Sequence, residues 1–322
     1  MAIYILNLAI LVLMLGSMSV SVESADINES VKKPASRYTL YLGGRPAFIQ
    51  DYQQAILKEI LAQNGEAEIQ VERTEVTSLR AEKLVAEEKI FDLSISTIPE
   101  HEEVKGLIRI AAPIHNGLLG LRHLIIHKDN RDRFLSDFDI DAFSQMSVGQ
   151  GSSWSEMKIY QHAGIPITGS HEFGRLFDML KLKRIAYLPL GVIEARMALK
   201  AMGDNYRELE IVEDVYILYA MPSYIVVSEK NAELAEKVRI GLREIQESGR
   251  LTSLFNRYFS RQLESVDPSS STLVVLANPL LPKDENNNII QSVIDQYFAS
   301  GSRLIYLPTV TNSQTSKVNV NN

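Results

Sequence analysis

Apolar and polar residues repeat with two different periods along this chain, and between residues 38 and 97 the two periods take turns. Tyr38–Leu42 alternates with period two and predicts a strand, Phe48–Gln63 places apolar residues at helical spacing, and Ile69–Val76 predicts a strand again. Thr77–Lys89 predicts a second helix with Leu79, Leu84 and Val85 inward and Glu82, Lys83, Glu87 and Glu88 outward. Phe91–Thr97 then predicts a third strand. Strand and helix in alternation give an α/β fold, because a parallel sheet needs crossover helices that also cover its faces.

Leu121–Lys128 and Tyr219–Ser228 are both strand-like, and they bracket a second series of strands and helices. They read as two passages of the chain between two lobes. Asn231–Phe259 has helical spacing, with Leu234, Val238, Leu242 and Ile245 on one face and a break at Ser248-Gly249, after which the chain returns to the first lobe. A looser region begins at Pro268–Ser271. Its last stretch, Thr309–Asn322, is polar and poor in aromatics, which predicts disorder.

The N-terminus changes the picture of compartment. Residues 3–15 are almost wholly apolar, small residues follow from Gly16 to Ser24, and Val22-Glu23-Ser24 offers a cleavage site. This predicts a secretory signal peptide, although no Lys or Arg precedes Lys32, and the run from Met1 to Val22 approaches the length of an uncleaved membrane anchor. Either reading exports the rest of the chain, to the periplasm. Glu23 is the only charge in residues 1–24, so cleavage changes the net charge from −7 to −6. An acidic body argues against nucleic acid as a partner. The absence of cysteine excludes disulfides, cysteine nucleophiles and a lipidated N-terminal cysteine.

The strongest candidate for chemistry is Val-Gly-Gln-Gly-Ser-Ser-Trp-Ser-Glu at 148–156, a small-residue turn that opens a helix. Gly149, Gly151, Ser152, Ser153 and Ser155 allow close approach of backbone N–H groups to a ligand at the positive end of a helix, which suits an anion; an ordinary capped helix has the same composition. The six histidines do not form a metal motif. His123 and His127 lie two pleats apart in a predicted strand, and no metal or cofactor is expected. No Gly-x-Ser-x-Gly motif and no P-loop occurs, and the serines of the turn have no recognisable base, so the reading is non-enzymatic.

From Tyr38 to Pro282 the chain resembles the type II periplasmic solute-binding proteins, in particular the polar amino-acid-binding family of ABC transporters. The resemblance rests on Phe91–Thr97 followed by Pro99-Glu100, on Pro113–Gly120 leading into Leu121–Lys128, on the Gly149–Glu156 turn, and on Gly249-Arg250-Leu251 with Phe255 and Tyr258-Phe259. Gly117–Gly120, Ile159–Gln161 and Gly191–Ala195 match a subgroup. It implies two α/β lobes, each with a mixed or parallel sheet flanked by helices, joined by two hinge strands. The boundaries implied are signal peptide 1–24, leader 25–36, first lobe 37–121 and 221–282, second lobe 122–220, and C-terminal tail 283–322. A ligand is then expected in the cleft between lobes.

For that cleft the candidate ligand-binding residues are Arg45, Ser96, Thr97, His101, Gly151, Ser152, Ser153, Trp154 and Tyr187. Arg45 lies in a Gly-rich loop after the first strand, and Ser96 and Thr97 lie at the C-terminal end of a parallel strand, the edge at which open α/β sheets bind ligands. Trp154 offers an indole for stacking, with packing on its own lobe as the alternative, and Tyr187 offers a hydroxyl. The resemblance departs at the amino-acid clamp. The family's carboxylate-gripping arginine matches His101, its amine-binding aspartate matches Ala186, and an arginine common before Gly-Val matches Leu190. Arg122 and Arg184 read as structural ion-pairing residues. The expected function is capture of a small polar or anionic organic molecule for an ABC importer or a membrane sensor. The alternative is a degenerate module without small ligand that serves as an envelope interaction partner.

Overall fold

The computed structural model describes residues 36–41, 47–62, 67–72, 76–98, 104–135, 139–264, 266, 271–298 and 302–309. The signal segment, nearly all of the leader and residues 310–322 lie outside the described residues. The first sheet starts with β1 (Ser36–Tyr41), α1 (Ala47–Leu61), β2 (Ala67–Glu72), α2 (Ser78–Ala86), β3 (Leu93–Ser96) and β4 (Leu107–Ala111). The chain then enters a second sheet with β5 (Leu121–His127), α3 (Ile140–Ser144), β6 (Val148–Gly151), α4 (Glu156–His162), β7 (Ile167–Ser170), α5 (Phe173–Lys181), β8 (Tyr187–Gly191), α6 (Ala195–Met202) and β9 (Leu209–Leu218). It returns with β10 (Tyr224–Ser228), α7 (Ala232–Glu247) and α8 (Arg250–Leu263), and ends with β11 (Thr272–Val275), α9 (Lys283–Tyr297) and β12 (Arg303–Tyr306).

The first sheet has the order β2-β1-β3-β10-β4, with β1, β2 and β3 parallel and β10 antiparallel to both its neighbours. The second has the order β12-β11-β9-β5-β8-β6-β7. In it β5 runs antiparallel to β8 and β9, while the other pairs are parallel. Both sheets are mixed and flanked by helices, as the alternating pattern predicts.

The local causes are visible in the sequence. In α1, Ile49, Tyr52, Ile56, Leu57 and Ile60 recur at helical spacing and are all buried, each aliphatic one worth about 1.5–3 kcal/mol. The Tyr52 ring meets Phe259 of α8 edge-on, with centroids 4.7 Å apart, and its hydroxyl donates to the Ile114 carbonyl. Thr77 caps α2 by accepting the Arg80 N–H, and Asn231 caps α7 by accepting the Leu234 N–H. The break between α7 and α8 falls where the sequence places it, at Ser248-Gly249, because Gly249 takes the left-handed conformation at φ 72°.

Three expectations need correction. Glu82 of α2, expected to face outward, is buried because it pairs with Arg109 of β4. Tyr219–Ser228 is not one strand: β10 begins only at Tyr224, and residues 219–223 form the passage between sheets, where Pro222 has no N–H to offer a ladder. The region after Pro268 is also more regular than its composition suggests. Thr272–Val275 is buried throughout and pairs with β9, α9 comes next, and β12 extends the second sheet beyond β11. A run of only four residues buried on both faces carries no period, and its length gives pattern reading little to mark a strand.

His123 of β5 is fully buried and its ring lies 5.0 Å from that of Tyr216. Burial first, and the Arg196 charge second, lower its pKa to about 4. The imidazole is therefore neutral in the folded protein down to acid pH, whereas in the unfolded chain it binds a proton near its ordinary value of about 6.5. The stability it contributes is complete above about pH 6.5 and is lost progressively as the pH falls toward 4, by up to about 3 kcal/mol. Urea unfolding at pH 7 and pH 4.5 checks this: His123→Phe is expected to show a smaller loss between the two than the natural chain.

Candidate functional site

Strand register shows which ends of the two sheets adjoin. In the first sheet Tyr224 pairs with both Ser96 and Ala111, so the C-terminal end of β3 lies at the edge where the chain leaves β4 and re-enters β10. In the second sheet Leu121 pairs with Leu218 and Arg122 with Gly191, so the C-terminal end of β8 lies where the chain enters β5 and leaves β9. Val148 pairs with Tyr187, which carries Gly151 toward that same edge. In both sheets the C-terminal ends of parallel strands thus lie at the end where the chain passes to the other sheet, and C-terminal strand ends are the position at which α/β sheets bind ligands.

Six of the nine sequence-predicted residues belong to these edges. Ser96 ends β3 almost buried, its hydroxyl accepting the Ile98 N–H at 3.2 Å, with Thr97 half-buried beside it. Arg109 donates to the Ile98 carbonyl at 3.2 Å and pairs with the buried Glu82, which fixes this end of the strand. On the second sheet Gly151 is buried beneath Trp154, whose indole occupies the space a Cβ would need. Trp154 also contacts Phe173, with ring centroids 6.2 Å apart, and so packs on its own lobe, the alternative that the sequence left open. Ser152 is half-buried and Ser153 exposed.

The turn is less open to an anion than its composition suggests. The Ser152 N–H donates to Ser170 and the Trp154 N–H to Gly151, both at 2.9 Å. Tyr187 does not reach the edge. It lies in the second-lobe core at 0% exposure, stacked on Phe143 at 5.2 Å, because it occupies the first position of β8 rather than the last. Arg45 and His101 lie outside the described residues.

Long-range pairing adds a cluster that no local motif announces. Arg122 is 5% exposed and donates to Glu156 at 2.9 Å and to Glu194 at 3.4 Å. Its guanidinium also lies 5.2 Å from the centre of the Tyr219 ring and 3.1 Å from the Met221 sulfur. Burial opposes its charge, while Tyr219 and the carboxylates of Glu156 and Glu194 outweigh that cost and hold its pKa above the ordinary arginine value. Glu156 opens α4 and receives the Ser155 hydroxyl at 3.1 Å, and Glu194 precedes α6 and receives the Gly191 N–H at 2.9 Å. The positive ends of both helices are thus met by the chain's own carboxylates. One guanidinium against two carboxylates leaves one formal negative charge in this cluster, which the helix ends partly offset. Ser155 and Lys158 have Ser-x-x-Lys spacing, but Ser155 serves Glu156 and Lys158 is exposed.

No protein-family model matches the chain, and no curated protein sequence matches it. Solved structures do. The GluR0 ligand-binding core in complex with L-glutamate superposes with a TM-score of 0.51 at 13% identity, over 70% of this chain and 100% of that one. An arginine third transport system periplasmic binding protein from Legionella pneumophila gives the same TM-score, identity and coverage. An ancestral arginine-binding protein bound to arginine gives 0.50 at 16% identity, over 70% of this chain and 98% of that one. The chain has the type II periplasmic binding protein fold. Two residues at which the sequence departs from the pattern of the resemblance are packed: Ala186 is half-buried against the core and Leu190 is buried.

Two surface hollows of about 430 and 510 Å³ lie away from these edges. One is lined by Arg131, Arg196, Leu199, Lys200, Glu210, Ile211 and Glu213, the other by Glu172, Arg175, Asp178, Met179, Lys181, Leu182 and Arg184. Each contains both signs of charge and neither includes a residue of the adjoining strand ends. Among the described residues no group of three or more His, Cys, Asp or Glu is placed to hold a metal ion.

Removing Arg122 alone strands two carboxylates in a water-poor site. Arg122→Met is expected to cost about 3–5 kcal/mol in unfolding free energy, and adding Glu156→Gln and Glu194→Gln is expected to return a large part of it. Urea unfolding of the single and triple variants measures the difference; equal losses would contradict the charge assignment.

Proposed function

We propose that this chain is an exported, non-enzymatic solute-binding protein that captures a small polar organic molecule between its two lobes, for an ABC importer or a membrane sensor. The position of C-terminal strand ends from both sheets beside the passages supports this reading, because Ser96, Thr97 and the Gly151–Trp154 turn belong to those ends. The apolar stretch at residues 3–15 supports export. Among the described residues no helix is long and apolar enough to cross a membrane. Glutamate and arginine in the names of the structural neighbours support a small polar solute.

The charge at the second-lobe edge narrows the class. Glu156 and Glu194 together exceed the one guanidinium that holds them, which favours a ligand bearing an amine over an anion at that end. An anionic group has a counterpart only if Arg45 reaches the gap from the first lobe. The second reading, a module without small ligand that binds an envelope partner, draws on the departures at His101, Ala186 and Leu190; of these Ala186 and Leu190 are packed apolar residues.

A thermal-shift screen of the chain from Ala25 separates the two. Amino acids, di- and tricarboxylates, polyamines, sugars and phosphorylated metabolites are the probes. A ligand at a hundred times its Kd adds about 2.7 kcal/mol to native stability, so one class is expected to raise Tm saturably. Loss of that rise in Glu194→Gln places an amine at the second lobe, and loss in Arg45→Ala places an anion at the first. A folded, monomeric protein silent to every probe sinks the capture reading in favour of the partner module.

A further inference from the structure

The chain passes between the sheets three times. The first passage joins β4 to β5, the second joins β9 to β10, and the third carries the chain from α8 back to β11 in the second sheet. A hinge made of two passages bends by changing a few backbone angles. A third passage resists such bending only if the segment after it is anchored on both sides, and here β11, α9 and β12 are so anchored.

From β11 onward the chain touches both sheets and both of the other passages. β11 pairs with β9 along its whole length, and the ladder continues as the Leu276 N–H donates to Leu218 at 2.9 Å. The buried Asn278 amide then donates to Ala220 of the second passage at 2.9 Å, its own N–H is received by the Asn286 side chain of α9, and its side-chain oxygen accepts the Leu280 N–H. Glu285 of α9 accepts the hydroxyl of Tyr224, the first residue of β10, at 3.4 Å, and burial together with that carboxylate pushes the Tyr224 phenol up to about 12. Val293 of α9 packs so closely on Gly117 of the first passage that a Cβ there would lie 2.5 Å from its methyl group. Gly117 is left-handed at φ 76°, a conformation that already favours glycine. Phe298, just beyond α9, meets the ring of Tyr216 in β9 at 5.8 Å.

We propose that β11, α9 and β12 form a clamp that holds the two sheets at one angle, so that the gap between their edges keeps its width whether occupied or empty. Rotation of one sheet against the other would have to pull Val293 off Gly117, Asn278 off Ala220 or Glu285 off Tyr224. Val293 and Asn278 are at 2% and 5% exposure, and close-packed interiors of this kind do not deform gradually. The clamp is independent of what the gap binds, and its test needs no ligand.

The chain has no cysteine, so one can be placed on each lobe without background. Gln161→Cys at the end of α4 and Arg243→Cys in α7 are both on exposed positions. With spin labels at the two, pulsed dipolar spectroscopy is expected to give a single narrow distance in the otherwise natural chain. Asn278→Ala, and separately Glu285→Ala, are expected to add a second, longer distance while circular dichroism stays unchanged. A broad or two-peaked distribution in the otherwise natural chain overturns the clamp whatever the variants do, including the case in which Asn278→Ala fails to fold. Folded variants whose distribution matches that of the parent overturn it equally.

Discussion

Everything in this structure hangs on the point where the first two passages touch. The Tyr219 N–H donates to the Gly120 carbonyl at 3.1 Å, and a Cβ at Gly120 would overlap the Tyr219 carbonyl oxygen. Glycine is required there by close approach of backbone to backbone rather than by an unusual dihedral angle. From that contact β5 and β9 run on side by side, beginning at the pairing of Leu121 with Leu218. The central pairing of the second sheet starts from it.

The same contact explains why a charged cluster is tolerated in the interior. Arg122 is the next-but-one residue after Gly120, and Tyr219 and Met221 lie in the second passage, so the crossing delivers an aromatic face and a thioether to the guanidinium as soon as the chain turns inward. Glu156 and Glu194 arrive from the starts of α4 and α6, where a carboxylate also meets the positive end of a helix. A buried ion pair of this kind is weak as a source of stability, since desolvation offsets most of the attraction. Its effect is on position: it ties the openings of two helices to the root of β5, and so sets the shape and the charge of the edge that faces the first lobe.

The architecture was legible in most elements that turn one face to water, with α9 the exception. The amphipathic spacing of α1 and α7, the break at Gly249 and the alternation of β2 all leave a trace in the sequence, and the structure follows it. Legibility failed at β11, a run of only four residues buried on both faces, and where proline ends a ladder that looks continuous, as before β10. For the site, position in the fold was easier to read than chemistry. Ser96, Thr97 and the Gly151–Trp154 turn fall on the adjoining edges, because strand ends are marked by small polar residues. Tyr187 does not, since a tyrosine hydroxyl in sequence gives no sign of which end of its strand it occupies. The Arg122 cluster joins residues 34 and 72 positions apart, a separation at which only the topology brings side chains together.

Amide hydrogen exchange at the crossing tests most directly the claim that the two sheets are joined as one cooperative body. The Tyr219 N–H, and the Leu276 N–H that extends β11 along β9, are expected to exchange only with global unfolding, at the same free energy as the core of either sheet. Exchange of the Tyr219 amide at a much lower free energy, while β1, β3 and β8 remain protected, would contradict the account and describe two lobes on a freely opening hinge.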